Sequence, residues 1–440
     1  MVNKIINPFD SHVHWAATGM ASIVLDLSSL SSVHDLKKLR ISASHFRGNW
    51  LYGEGWNHNY WPNKPLPSAL DLDQYHNSVP ILFLGHDGHS AWLNTKAIQL
   101  LQLKSDMKGV HSLQNGDPSG IVTGPIVSKI LDQLPSPSHD SLKDYLLNGV
   151  KTFNQAGFTH IRDLSCSEEQ WSCALELERE GKLSLAVSQF IECGQLDQLD
   201  QVLNIATKGS HHHSNNLHFA GIKIYFDGAL GSNGALLSMP YSNGKSSGTQ
   251  HISTKELMQY IRRIEQFPHL SLAIHALGDQ AVHQVVSTIH QLQMDGKKIP
   301  PIHIEHLQLI RLETAKLMQG LPITCHMQPI HYSSDLPWMK DTLPPELMQI
   351  IFSWAEIEKS GVPLYFGSDA PIEKSSLPAS YQAYQLSIQN QIPAAKRDFF
   401  YYHSHPDLNW VPNCYTILDQ KAESEELYVK EVWFDGKAVI

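Results

Sequence analysis

From residue 157 onward, short apolar runs alternate with longer segments of helical periodicity. "HLSLAIHALGD", for example, precedes "QAVHQVVSTIHQLQMDG", and "PIHIEHLQLI" precedes "RLETAKLMQG". This alternation indicates βαβ units and a parallel sheet. Together with the opening "PFDSHVHW", the strand-like runs number eight, which predicts an α/β fold of the (β/α)8 TIM barrel type. Such a barrel needs about 250 residues, so the chain of 440 residues has room for further subdomains.

We expect the chain to divide into three parts. The barrel is predicted over residues 5–23 and 124–395, interrupted by an insertion subdomain at residues 24–123 near the barrel mouth. The insertion is rich in tryptophan, glycine and histidine, and its tryptophans favour a core of its own over an apolar lid. Residues 396–440 are predicted to form a C-terminal β appendage of short strands, with a turn at Asp435-Gly436.

Composition restricts the class of protein. With 42% hydrophobic and 17% charged residues the chain is globular, and with a net charge of -10 and no Lys/Arg run it is not expected to bind nucleic acid. No apolar run approaches the ~18 residues that span a bilayer, and the first ten residues lack a signal-peptide core. We therefore expect a cytoplasmic protein with a small-molecule substrate and no membrane partner. The sequence does not decide whether it forms a homo-oligomer. The five cysteines are scattered and odd in number, which predicts reduced thiols.

Two histidines near the start of the chain are separated by one residue. In a strand, His12 and His14 would project from the same face, because side chains alternate between faces. Neutral imidazole is the commonest protein ligand of transition metals. Taken alone, however, the pair fits a polar strand more readily than a metal site.

Further polar residues stand at the ends of the later predicted strands. Catalytic groups of such barrels lie at the C-terminal ends of the strands. The residues at these positions are Lys223 on strand four, His275 on strand five, His306 on strand six and Asp369 after strand eight. Each has an ordinary structural explanation, but an unpaired buried lysine is costly, and the whole set, with His12 and His14, predicts a metal site.

Other candidates are weaker. Asp87 and His89 in "HDGHSAW" could reach the mouth from the insertion and bind substrate, or could form a structural turn. Gln328, His331 and Asp335 in "MQPIHYSSDLPW" follow strand seven and could line a substrate pocket.

The motifs together make the chain recognisable. It resembles the amidohydrolase superfamily, within it amidohydrolase family 3, and is similar to N-substituted formamide deformylases. The motifs that carry this resemblance are "DSHVHW", "GWNHNYWP", "HDGHSAWLN", "PSGIVTGP", "GIKIYFDGALGS", "IHALGDQAV", "IEHLQLI", "MQPIHYSSDLPW" and "FGSDAPIE".

The resemblance implies a role for each strand-end residue. His12 and His14 would bind one metal, His275 and His306 another, and Asp369 would be both a ligand and the group that moves protons. Lys223 matches the position at which such enzymes can carry a carboxylated lysine that bridges two metals. A buried lysine is easily deprotonated, and its neutral amine can add carbon dioxide to form an anionic carbamate. The ligand set suits zinc, with iron or manganese as alternatives and one or two ions per chain.

The chain also departs from the family pattern. Only nine residues precede Asp10, so the β-sandwich of the relatives is expected to be reduced or built mainly from the C-terminus. Thr123 and Gly124 replace the usual Arg and Glu, and Asn233 stands where Arg is common.

The function predicted from these residues is metal-dependent hydrolysis of a non-peptide C–N bond, of the amide or N-formyl type, with a metal-activated water. A deaminase or an esterase of the same superfamily is the alternative among enzymes. A metal-bound but catalytically silent binding protein is the alternative outside them.

Overall fold

The computed structural model describes residues 3–62, 65–85, 90–212, 214–242, 244, 246–404, 411–422, 424 and 426–440. Its contacts divide the chain into two compact units, Met1–Gly19 with Leu146–Ile440, and Met20–Tyr145. Among the described residues, no helix has both the length and the apolar character that crossing a bilayer requires.

The secondary structure is as follows. The strands are β1 (Asn3–Ile6), β2 (Phe9–Val13), β3 (Leu25–Asp26), β4 (Phe46–Arg47), β5 (Trp50–Trp56), β6 (Ile81–Gly85), β7 (Ser90–Leu93), β8 (Val110–Ser112), β9 (Pro118–Thr123), β10 (His160–Cys166), β11 (Ala186–Glu192), β12 (Leu217–Tyr225), β13 (Ser271–Ala276), β14 (Ile302–His306), β15 (Ile323–Met327), β16 (Leu364–Phe366), β17 (Tyr415–Gln420), β18 (Leu427–Phe434) and β19 (Lys437–Ala438). The α-helices are α1 (Trp15–Ala21), α2 (Ala69–Tyr75), α3 (Thr95–Leu100), α4 (Pro125–Leu131), α5 (His139–Ala156), α6 (Glu168–Arg179), α7 (Leu199–Ser210), α8 (Thr254–Ile264), α9 (Asp279–Met294), α10 (Leu312–Leu317), α11 (Pro329–Thr342), α12 (Trp354–Lys359), α13 (Leu377–Gln389) and α14 (Phe399–Tyr402). Short 3-10 helices lie at Val33–Lys38, Ala43–His45, His58–Tyr60, Leu196–Gln198 and Leu347–Ile350.

The first unit is built on the predicted barrel, which is confirmed. Eight strands run in the order β2-β10-β11-β12-β13-β14-β15-β16, and every pair along this path is parallel. Backbone hydrogen bonds join the two ends, from Asp369 N to His12 O at 2.8 Å and from His14 N to Ala370 O at 2.8 Å. Gly367 permits this contact, because a Cβ at that position would lie 2.6 Å from His12 N.

The strands and helices follow from their apolar patterns. All six residues of β13 are buried, as expected for a parallel strand covered on both faces. Helix α8 buries Leu257, Tyr260, Ile261 and Ile264, which recur at helical spacing, and a Ser253 capping box begins it. The helices therefore pack one apolar stripe on the barrel and leave the strand ends free for polar side chains.

An antiparallel sheet of four strands, in the order β1-β17-β18-β19, is appended to the barrel unit. Three of its strands come from the C-terminus, which agrees with the expected reduced β appendage. Asp435 and Gly436 form the predicted turn, and both have the positive φ (50° and 72°) that a tight hairpin turn of type I′ requires.

The second unit has its own mixed sheet, in the order β3-β5-β6-β7-β9-β8, with β4 paired to β5. Trp50, Trp56, Trp61 and Trp92 are each at most 6% exposed and belong to the cores of this unit. The predicted use of these tryptophans in a core is therefore confirmed, while the domain boundaries stay predictions.

Two segments around strand seven differ from the prediction. The segment after β15 forms helix α11, although it carries Pro337 inside the helix and its sequence indicated no helix. The apolar pattern of "PPELMQIIFSWAEIEKSG" predicts one helix, but this segment is divided into a 3-10 turn and α12, because Phe352 N bonds to Gln308 O at 2.8 Å and Ile351 pairs with Leu309. Pairing with the chain beyond β14 thus overrides the local helical pattern.

Candidate metal centre

The two histidines of the first barrel strand converge on one carboxylate oxygen. His12 Nε2 lies 3.2 Å, and His14 Nε2 3.1 Å, from Asp369 Oδ1. The strand geometry explains their common direction, and barrel closure brings Asp369 to them from the far end of the chain. Asp369 adopts a φ of 63°, a conformation that residues other than glycine rarely take and that is frequent at functional sites.

A buried acidic partner fixes the orientation of His12. His12 Nδ1 donates to Glu305 Oε2 at 2.7 Å, and Arg162 Nη2 donates to the other oxygen, Oε1, at 2.8 Å. With the proton on Nδ1, the Nε2 lone pair of His12 faces Asp369 Oδ1. Two acceptors at this distance repel each other unless a positive charge, a proton or a metal ion, lies between them.

The histidines of β13 and β14 present one free nitrogen each. His306 Nδ1 donates to Gln328 Oε1 at 2.9 Å, and His275 Nε2 donates to Gly228 O at 3.2 Å. Burial lowers the pKa of His275 to about 3 and lowers that of His306 well below its ordinary value. Both imidazoles are therefore neutral at physiological pH, which is the form that binds metals.

Asp369 stays ionised despite its burial. Burial alone would raise the pKa of Asp369, but positive charge on the His12 imidazole, when its Nε2 is also protonated, and hydrogen bonds from His12, His14 and His331 hold that pKa well below the ordinary value. His331 Nε2 lies 3.3 Å from the second oxygen, Oδ2. The site thus has an anionic oxygen at its centre, surrounded by imidazoles.

Lys223 is the one lysine that lines the same cavity among the described residues. Its side chain is buried, with 1% of the residue exposed, and its Nζ has no hydrogen-bond partner among the described residues. Burial lowers the pKa of Lys223 to about 8. A buried amine without a partner is costly, and its position in the cavity is consistent with a group that is modified or that contacts a ligand.

The donor set fits a metal ion. Ligand atoms of His12, His306 and Asp369 all lie within 4.8 Å of one another, and all three residues are buried. Tetrahedral zinc with bonds of ~2.0–2.1 Å holds its ligand atoms ~3.3 Å apart, close to the 3.1 Å and 3.2 Å that separate Asp369 Oδ1 from the two histidines of β2. We call these residues, with His14, His275 and Lys223, the metal centre.

The metal centre forms the floor of a cavity of about 400 Å³ at the C-terminal ends of the barrel strands. Cavities of this size hold small molecules. The remaining walls come from Tyr225, Ala229, Leu230, Gly231, Leu277, Gln308, His331, Asp335, Trp338, Ile372 and Glu373.

Comparison with known proteins agrees with this arrangement. The sequence profile of the amidohydrolase family matches residues 9–380, which include both ends of the barrel and the whole metal centre. The chain belongs to the amidohydrolase family. The membership predicted from the motifs is therefore confirmed.

Relatives of this amidohydrolase come from bacteria, plants and archaea. YtcJ of Bacillus subtilis, whose name assigns it to the amidohydrolases, is 27% identical over 381 residues, covering 83% of this chain and 69% of YtcJ. The Arabidopsis thaliana protein LONG AFTER FAR-RED 3 is 24% identical over 390 residues, covering 84% of this chain and 66% of that protein. A solved structure of an uncharacterised metal-dependent hydrolase from Pyrococcus furiosus has a TM-score of 0.73 and 25% identity, covering 87% of this chain and 76% of that one.

The structure brings most of the predicted site residues of this amidohydrolase together. The residues predicted as metal ligands all line one cavity: His12, His14, Lys223, His275, His306 and Asp369. His331 and Asp335 line its wall as predicted for a substrate pocket, on a helix that the sequence did not indicate. Gln328 is instead buried behind His306, where it holds that imidazole and does not line the cavity. Asp87 and His89 lie outside the described residues.

The sequence did not indicate the supporting roles of three residues around the site. Glu305 and Arg162 support His12 from inside the barrel. The one sequence feature that could have indicated this is Glu305 itself, an acidic residue directly before His306 in an apolar strand. Asp10 has a structural function, because it accepts hydrogen bonds from Ser368 N, Ser368 Oγ and Ser375 Oγ at 2.7–2.9 Å. It thereby ties the first strand to the chain after the last one.

Proposed function

We propose that this amidohydrolase cleaves a non-peptide C–N bond, of the amide or N-formyl type, with a metal-activated water. The observation that carries the proposal is the convergence of two imidazole nitrogens on one oxygen of the buried, ionised Asp369. This donor set suits a metal cation, and the carboxylate beside that cation would handle protons.

The residues that would hold the metal are His12, His14 and Asp369, with His275 and His306 on the adjacent strands. Zinc is the favoured ion for a set of imidazoles and a carboxylate. When bound, such an ion lowers the pKa of a coordinated water and polarises the substrate carbonyl.

Asp369 is the proposed general base and then general acid. Its carboxylate accepts the proton of the attacking water and delivers it to the leaving nitrogen, which leaves as a neutral amine. His331, 3.3 Å from Oδ2, orients the carboxylate and keeps it ionised between turnovers. Aliphatic and aromatic side chains around the floor lower the local dielectric, which strengthens each of these polar contacts.

We propose that Lys223 carries a carbamate. Its neutral amine forms a bond to the carbon of carbon dioxide and loses one proton, which replaces a cation by an anionic group with two oxygens. The lowered pKa of about 8 makes the neutral amine accessible, and Nζ has no competing partner among the described residues. The carbamate would replace an unpaired positive charge with a negative one beside imidazoles that bind cations.

The test is a substrate panel combined with elemental analysis. Purified protein is stripped with a chelator, reloaded with zinc, manganese or iron(II), and assayed on simple amides, N-substituted formamides, esters and aminated heterocycles. We expect bound metal and metal-dependent release of amine from amides or formamides. Turnover of esters or aminated heterocycles alone would make the protein an esterase or a deaminase instead.

The matched variant pair is Asp369→Asn and Asp341→Asn. The first removes the proposed base and should lower kcat by at least 100-fold, since general base catalysis contributes 10²–10⁴-fold. The second removes a carboxylate from an exposed position and should leave the rate unchanged. Bound metal without turnover of any class in the wild type would indicate a silent binding protein.

A further inference from the structure

One face of helix α11 forms a wall of the cavity. His331, Asp335 and Trp338 lie at positions i, i+4 and i+7 of the helix, so they project in the same direction. All three line the cavity. From the metal centre outward they present an imidazole beside Asp369, a carboxylate 3.9 Å from that imidazole, and an indole.

Two carboxylates face the cavity outside the metal centre. Asp335 is half-buried, and its Oδ2 accepts a hydrogen bond from Gln308 Nε2 at 3.0 Å. Glu373 lines the same cavity, on the chain that follows Asp369, and is also half-buried. Within the described part of the chain, neither carboxylate has a lysine or arginine within ion-pair distance.

Of the described wall residues, His331 can offset part of these charges, since its Nδ1 lies 3.9 Å from Asp335 Oδ2, but one imidazolium does not balance two carboxylates. Among the described residues that line the cavity, the one lysine or arginine is Lys223, which lies at the floor with its Nζ unpartnered. Two partly buried carboxylates with at most one imidazolium beside them leave a net negative potential, which a concave, low-dielectric wall focuses. The ring of Trp338 borders the same space, and an indole attracts cations through its face.

We infer that the substrate is a cationic amide, which carries a protonated amine near the scissile C–N bond and places it beside Asp335 and Glu373. The inference rests on the proposed function, since it names the substrate class of the same site. The walls disfavour an anionic group, because a further carboxylate there would meet two carboxylates and at most one imidazolium among the described wall residues. The apolar Leu230 and Ile372 leave room for a short aliphatic linker between the two polar ends.

The experiment compares three formamides of similar length: N-formyl-1,5-diaminopentane as the cation, N-formylhexylamine as the neutral isostere and 6-formamidohexanoate as the anion. We expect kcat/KM for the cation to exceed that of the neutral probe by at least tenfold, with the anion slowest. The preference should shrink as ionic strength rises, because the wall charges are partly exposed. If none of the three is cleaved, equilibrium binding of the same probes to the metal-loaded wild type provides the same comparison.

The matched variants are Glu373→Gln and Glu169→Gln. Glu373→Gln should reduce the ratio of cation to neutral probe by about tenfold, and Glu169→Gln, a change on the exposed face of α6, should leave the ratio unchanged. Equal cleavage or binding of the cation and the neutral probe in the wild type would overturn the inference while leaving the proposed hydrolase intact. Failure to cleave any amide, formamide, ester or aminated heterocycle would instead remove the proposed function, and the binding comparison would still decide the charge preference.

Discussion

The buried Arg162–Glu305–His12 chain predicts that Glu305→Gln will weaken metal binding without any change in a metal ligand. Glu305 accepts from His12 Nδ1 and from Arg162 Nη2 with different oxygens, so both partners use it as an acceptor. Glutamine has the same shape but only one acceptor oxygen. Whichever way the amide is oriented, one of the two partners meets an NH2 group.

Each orientation has a definite consequence. If the amide oxygen stays with Arg162, His12 must accept at Nδ1, which moves the imidazole proton to Nε2 and removes the lone pair that faces Asp369. If the oxygen stays with His12, the guanidinium of Arg162, whose side chain is 4% exposed, faces another donor. Loss of a carboxylate that orients a ligating histidine typically costs 10–100-fold in metal affinity.

The stability effect can be estimated separately. The Glu305 side chain is 0% exposed and Arg162 is nearly as buried, and removing one partner of such a pair costs about 3–5 kcal/mol. We expect a value near 3 kcal/mol, because glutamine keeps one hydrogen bond. Burial of a charge without its partner, rather than any change in packing, is the physical reason.

Two measurements on the purified variant check this prediction. Zinc affinity is determined by competition with a chelating dye, and urea unfolding of the metal-free protein is followed by circular dichroism. Glu169→Gln is the control and should alter neither quantity by more than about 0.5 kcal/mol. Zinc affinity within twofold of the wild type, together with an unchanged unfolding midpoint, would refute the argument that Glu305 orients His12.

Further predictions concern the ligands and Asp10. The double variant His12→Ala/His14→Ala should fold but lose bound metal and activity. Full metal occupancy of this variant by elemental analysis would show that the two histidines are not metal ligands. Lys223→Ala should lose a second metal equivalent, and short carboxylic acids that replace the carbamate should restore part of the activity; a wild-type rate in this variant would contradict the proposal. Burial raises the pKa of Asp10 to about 6 in the folded protein, above its ordinary 3.8, so the folded state binds the proton more tightly and stability from this group falls as pH rises between about 4 and 6. The unfolding free energy of the wild type relative to Asp10→Asn should therefore decrease across that window, by about 3 kcal/mol at most, and a pH-independent difference would show that Asp10 does not titrate in this way.

The barrel and most of the metal centre could be predicted from the sequence because their signals are local. A strand places residues i and i+2 on one face, so "DSHVHW" already paired His12 with His14. Parallel strands of one barrel end at the same rim, so His275, His306 and Asp369 could be assigned to the same site before any distance was known.

The supporting residues could not be predicted, because their contacts depend on register and packing across the barrel. Arg162 and Glu305 lie on strands that are not neighbours in the sheet, and no sequence pattern indicates that they meet. Gln328 follows strand seven and was expected to bind substrate; in the structure its Oε1 accepts a hydrogen bond from His306 Nδ1, and a substrate role for it stays a prediction. Helix α11 has no apolar stripe and contains Pro337, so tertiary contacts rather than periodicity must stabilise it.

Metal binding by Asp369 and the surrounding histidines is tested most directly by an anomalous difference map. The map is calculated from crystals of the zinc-loaded protein, with data recorded on both sides of the zinc absorption edge. We expect a strong peak within ~2.0–2.2 Å of a carboxylate oxygen of Asp369 and of imidazole nitrogens from His12 and its neighbouring ligands. Density extending from Lys223 Nζ would reveal the carbamate in the same map. A cavity without anomalous density, in a protein that still hydrolyses amides after chelation, would contradict the metal-dependent mechanism.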